Sequence, residues 1–210
     1  MKQLFFLAII VGLVGCGKSE DPEKGQSVNT LPKPISDDPY WKYTKEDFPR
    51  YFEQWGEDGV KRISEIERAA VAKIANTQNS CDRISMAMLS EDRSTPKSNV
   101  VVIVDCDNKQ RFYVSESALN IGAPIKSQSE KSISQADAFI KCQELVKSNA
   151  KYPSSVDFQL LDSSGFKAET TGNVVVNLGF KAKNSFGAEI PAKARCVFPP
   201  DKTPEITISE

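Results

Sequence analysis

The feature that most constrains this 210-residue chain is its set of five cysteines, Cys16, Cys81, Cys106, Cys142 and Cys196, no two of which form a C-x-x-C pair. Cys16 stands apart from the rest, because it closes an apolar run and opens a charged one in "LVGCGKSE". Cys106, Cys142 and Cys196 fall in segments with helix or strand periodicity, and Cys81 lies between a helical and a strand-like run. An odd count in an exported chain assigns one cysteine a different role and leaves four for two disulfides. Three pairings of those four are open from spacing alone.

Lys2 supplies a short positive region, and Leu4 to Val14 form an apolar run interrupted only by Gly12. As a helix this run would span roughly 16 Å, about half a bilayer's hydrocarbon core, so it reads as an export signal and not as a membrane span. Leu13-Val14-Gly15-Cys16 resembles the lipobox of bacterial lipoproteins. That resemblance covers residues 1 to 16 and implies cleavage before Cys16, a diacylglycerol on its sulfur and acylation, commonly with palmitate, of the new amino terminus. Gly17 stands where an aspartate would resemble an inner-membrane retention signal. The expected location is therefore the periplasmic face of the outer membrane, with the membrane itself a partner through the lipid on Cys16.

The remainder divides into a signal peptide at 1–15, a tether at 16–39, an amino-terminal module at 40–119, a linker at 120–133, a carboxy-terminal module at 134–200 and a tail at 201–210. The tether is rich in Lys, Glu, Asp, Ser and Pro, without apolar periodicity, and its composition predicts a disordered spacer. The first module opens on Tyr40, Trp41, Tyr43, Phe48, Tyr51, Phe52 and Trp55, an aromatic set at helical spacing that reads as core more readily than as a carbohydrate or peptide platform. Pro49 suits a first helical turn. A second helix is expected from about Glu57 to Asn76, with Val60, Ile63, Ile66, Ala70 and Ile74 in one stripe. Strands are expected at 83–89, 99–106 and 110–115, the last two joined by Asp107-Asn108-Lys109.

After the linker, Ser134 and Asp137 mark a helix start close to a capping box, and Ala138, Cys142, Leu145 and Val146 share its apolar face. Four strands should follow at 158–161, 166–170, 173–183 and 188–198. The last two alternate as a hairpin around "NSFGAE", which turns Cys196 inward toward Cys142, and Pro191 places its strand at an edge or a bulge. The stretch "CQELVKSNAKYPSSVDF" followed by "GFKAKNSFGAEIPAKARC" resembles a recurrent module of exported bacterial proteins, over residues 134 to 198. The resemblance implies a fold and a disulfide, and no activity. The expected architecture is α+β: two small modules, each a helix on an antiparallel sheet with one disulfide. Pairing Cys81 with Cys106 and Cys142 with Cys196 requires no contact across 120–133 and suits the inward-facing cysteines.

Chemistry is bounded chiefly by the absence of histidine, which removes Ser-His-Asp and Cys-His hydrolases and histidine-ligated zinc. Asp105 and Asp107 flank Cys106 but lack calcium-loop spacing, so they read as turn residues and no metal site or cofactor is expected. "GCGKSE" lacks the first glycine of a phosphate-binding loop. Ser-Lys or two-carboxylate catalysis has abundance as its sole support. No catalytic residue is therefore assigned. A net charge of −1 argues against nucleic-acid binding. The expectation is a non-catalytic binding or scaffolding lipoprotein with an envelope protein partner. The alternatives are an inhibitor or immunity lipoprotein and, further off, a cell-wall hydrolase.

Overall fold

The structure is a computed structural model that describes residues 32–210. Its chain order is helix α1 (Pro49–Ala75), strands β1 (Ile84–Leu89), β2 (Val101–Cys106) and β3 (Arg111–Ser115), helices α2 (Glu116–Asn120), α3 (Gln128–Lys131) and α4 (Gln135–Asn149), then strands β4 (Asp157–Lys167), β5 (Val174–Lys183), β6 (Glu189–Phe198) and β7 (Glu205–Ser209). The strands form two antiparallel meanders, β1-β2-β3 and β4-β5-β6-β7. Each sheet has one long helix across it and its own apolar core, so the α+β arrangement in two disulfide-bearing modules is the observed one.

In the first module, Pro49 occupies the first turn of α1 and Gly56 breaks it (φ 72°, ψ 175°), a backbone conformation open to glycine. The break separates the aromatic turn holding Tyr51 and Trp55 from the stripe of Val60, Ile63, Ile66, Ala70, Val71 and Ile74, which packs on β1 and β2. The aromatic set is largely core, with Tyr51 and Trp55 buried and Tyr40, Tyr43, Phe48 and Phe52 packed around them; Trp41 lies half exposed against Phe48. In the second module Ser134 caps α4 by accepting from the Asp137 amide at 3.0 Å, and Ala138, Cys142 and Val146 are buried against β5 and β6. The hairpin register runs from Val174↔Phe198 to Lys183↔Glu189 without a shift.

Four segments depart from the sequence expectation. Residues 33–39, read as the end of a disordered tether, lie along the free edge of β1: the Ser36 amide donates to the Ile84 carbonyl, the Ile84 amide to Pro34 and the Ala87 amide to Pro39. The two short strands expected at 158–161 and 166–170 are one strand, β4, whose register shifts between Gln159 and Ser164, so that residues 160–163 bulge. The expected linker is ordered. Ser127 and Gln128 are buried, and Ser127 forms a capping box with Glu130. The expected tail contains β7, whose Ile206 and Ile208 extend the apolar face of the second sheet. Pro191 sits on β6, a central strand, but lies past the point where β7 ends at Ser209↔Lys193, so its missing N–H costs no ladder bond there.

Candidate functional site

Cys16 and the lipobox fall outside the described residues. The other four cysteines form two buried disulfides. Cys81–Cys106 ties the segment after α1 to the end of β2 (Cα–Cα 5.7 Å), and Cys142–Cys196 ties α4 to β6 (Cα–Cα 5.8 Å). The acidic pair around Cys106 is engaged locally: Asp105 accepts two bonds from the Arg111 guanidinium at 2.7 and 2.6 Å, and Asp107 faces Arg83 at 3.4 Å. Among the described residues no group of three or more His, Cys, Asp or Glu side chains is placed to hold a metal ion, and no helix is long and apolar enough to cross a membrane.

The most perturbed acid is Glu67, 1% exposed within the stripe of α1. Its carboxyl accepts from the Tyr43 hydroxyl at 2.5 Å, and that hydroxyl accepts in turn from the Leu89 amide at 3.1 Å. Burial pushes the Glu67 carboxyl up to about 7, against the opposing pull of Tyr43, Arg68 and the Leu89 amide. Burial and the adjoining carboxylate likewise push the Tyr43 hydroxyl well above its ordinary value. A raised carboxyl is a common mark of a general acid, but this one is enclosed in the core and no substrate reaches it without opening the module. It is a structural acid. Its place was legible in principle, since residue 67 falls four after Ile63 and three before Ala70.

A groove of about 560 Å³ lies on the second sheet. Its floor is Gly179, its walls are Lys181, Pro191 and Lys193, and its lip is the 160–163 bulge, represented by Asp162 together with Gln159. The bulge is folded over the glycine: the Ser163 hydroxyl donates to the Gln159 carbonyl at 3.0 Å and accepts from the Gly179 amide at 3.3 Å. A Cβ on Gly179 would meet the Asp162 Cβ at 3.1 Å, so a larger residue there would fill the floor. Leu160 and Leu161 on the bulge are exposed, Leu161 fully, while Lys181 and Lys193 have no ion-pair partner among the described residues. Two cations, Lys181 and Lys193, and two carboxylates, Asp162 and Glu210, thus line the groove together with the Gln159 amide, next to the bulge that carries Leu160 and Leu161, a mixed-charge surface that suits a polar partner.

A second, smaller cleft of about 260 Å³ marks the junction of the modules, lined among others by Arg93, Tyr113, Gln128 and Lys202. The Arg93 guanidinium stacks on the Tyr113 ring (3.6 Å to the centroid) and donates to Asp201 at 2.8 Å. Gln128 donates to the same carboxylate at 3.1 Å, and Lys131 approaches it at 3.5 Å. Burial raises the Asp201 carboxyl, but these three donors prevail and hold it below the usual range. This junction is filled by its own charges. Neither the groove nor the junction was anticipated from the sequence, because each combines residues far apart along the chain. Comparison with protein-family models, with curated proteins and with solved structures finds no match to this chain.

Proposed function

We propose that the chain is a lipid-anchored lipoprotein of the bacterial envelope, held to the membrane through Cys16, and that its body binds or scaffolds a protein partner without catalysing a reaction. The lipobox resemblance at residues 13 to 16 supports the anchor and the periplasmic face of the outer membrane as the location. The observation that carries the binding role is the groove over Gly179, lined by Lys181, Lys193, Asp162 and Glu210, together with the exposed Leu160 and Leu161 on the adjoining bulge. Large apolar side chains held out into water on an ordered bulge are a liability for a monomer and a contact point for a partner.

The test is site-specific photocrosslinking in intact bacteria, with the reactive side chain at Leu161 and, as control, at exposed Lys61 on α1. A discrete crosslinked species from position 161, absent from position 61 and lost on combining Lys181→Glu with Lys193→Glu, is the expected result. Identical products from both positions, or release of soluble fragments when the purified protein is incubated with cell wall, would remove this reading.

A further inference from the structure

The two sheets have four lateral edges, and three are covered or interrupted. The 33–39 segment lies along β1, α2 and α3 pack against β3, and the bulge at 160–163 interrupts β4. The fourth edge, β7, has no such protection among the described residues. It pairs with β6 over Lys193–Val197, contains no Pro, Lys or bulge, and no residue of Glu205–Ser209 makes an outward backbone hydrogen bond among the described residues. Ile208 is 41% exposed on the apolar side of this edge, next to Ile190 and the end of α4. Unprotected edges of this kind are templates for another strand.

We propose that β7 pairs with β7 of a second copy, antiparallel and centred on Thr207, which joins two four-stranded sheets into one of eight strands. The segment "EITIS" is self-complementary in that register. Thr207 opposes Thr207, Ile206 opposes Ile208, and Glu205 opposes Ser209, so no like charges meet directly. The alternation of β7 places Ile206 and Ile208 on the apolar face in both copies, where each Ile208 is covered by the other copy's Ile206. On the opposite face each Glu205 would lie beyond the small Ser209 of the other copy, in the row that continues to that copy's Lys193. Lys193 has no ion-pair partner among the described residues within one copy. The two-fold axis required by this pairing runs perpendicular to the sheet, so both α4 helices lie on the same face, flanking one continuous apolar trough.

The register makes the proposal testable by disulfide trapping, because directly opposed residues of antiparallel strands lie within the Cα distance a disulfide requires. The full chain would be purified under oxidising conditions as five forms: parent, Thr207→Cys, Glu205→Cys, Ser209→Cys and Lys202→Cys. The parent carries all five native cysteines and reports any crosslink through Cys16. Thr207→Cys should form a disulfide dimer alone, whereas Glu205→Cys and Ser209→Cys should do so on mixing and not separately. Adding Ile208→Lys to the mixed pair should abolish the product while leaving the circular dichroism spectrum unchanged. If Thr207→Cys crosslinks no more than Lys202→Cys, an off-strand control, or if Glu205→Cys and Ser209→Cys crosslink equally well alone and mixed, the second-copy pairing is wrong.

Discussion

Substituting Glu67 by glutamine tests the electrostatics of the first module and yields a counterintuitive outcome: removing a hydrogen-bonded carboxylate should stabilise the protein above pH 7. The folded carboxyl titrates at about 7, raised from 4.5 by burial. Since the folded value is the higher one, the folded state retains the proton that the unfolded state releases. The associated stability is complete below pH 4.5 and is lost as the pH rises through about 7. At about 1.4 kcal/mol for each pH unit between those values, the loss amounts to about 3 kcal/mol. The chain has no histidine, so this window is otherwise sparsely populated with titrating side chains. The carboxamide introduced by Glu67→Gln would keep an oxygen to accept from Tyr43 and would remove the charge. Urea unfolding followed by the fluorescence of buried Trp55 should therefore give a midpoint that falls with pH in the parent and stays level in Glu67→Gln, with equal slopes m. The two proteins should converge near pH 4.5 and diverge by up to about 3 kcal/mol above pH 7. A parent that is level across this window, or a Glu67→Gln protein that follows the parent's slope, would refute the assignment of Glu67 as the buried acid.

Other outcomes follow from single contacts. Cys142→Ala together with Cys196→Ala removes a 54-residue closed loop and should cost roughly 4 kcal/mol, and the 25-residue loop closed by Cys81 and Cys106 roughly 3.5; the drop in denaturant midpoint measures each. Gly122 and Gly172 share a positive φ (67° and 68°), but a Cβ on Gly122 meets nothing within 4 Å, while one on Gly172 falls 2.2 Å from the Gln128 carbonyl oxygen. Gly122→Ala should therefore cost about 1 kcal/mol from backbone strain alone and Gly172→Ala at least about 1 kcal/mol more, with the added loss seen as weakened docking of α3. Cys16→Ser should fail to incorporate labelled fatty acid, because serine offers no thiol for diacylglycerol transfer; normal labelling would place the lipid elsewhere.

What was legible in the sequence was whatever is decided within one element or between neighbouring ones. The break of α1 is written in Gly56, the start of α4 in Ser134, and the β5-β6 register in two matching alternations joined by a short turn. The within-module disulfide pairing was expected because it needs no contact across 120–133 and suits the inward-facing Cys106, Cys142 and Cys196, although spacing alone left three pairings open and Cys81 lies between α1 and β1. The bulge at 160–163 was illegible for a related reason: "FQLLDSSGF" has no single alternation, and only the pairing with β5 shows that Gln159 and Ser164 belong to one strand. The tether's last residues and the linker misled through composition. Their Pro, Ser and Lys content is that of a solvated segment, yet Lys33 donates to the carbonyls of Asn79 and Cys81, and Ser127 donates to Gln110, so the polarity is satisfied inside the fold.

Binding surfaces are the hardest feature to read from a sequence of this kind, because they depend on which neighbours an element lacks. Ile208 alternates as any half-buried strand residue does, and nothing local distinguishes β7 from a strand flanked on both sides. Pro191 illustrates the limit. Its ring correctly signals an unpaired flank, but the strand that carries it is central, because strand order changes along the length of β6 where β7 stops. The groove over Gly179 has the same origin: a glycine, two lysines and a bulge from three strands become a site only once the sheet is assembled. Both surfaces sit on the same sheet, the groove between β4 and β6 and the free edge at β7. The two adjoin at Lys193, which lines the groove and pairs with Ser209 of β7, so a copy paired at β7 and a partner on the groove would meet there.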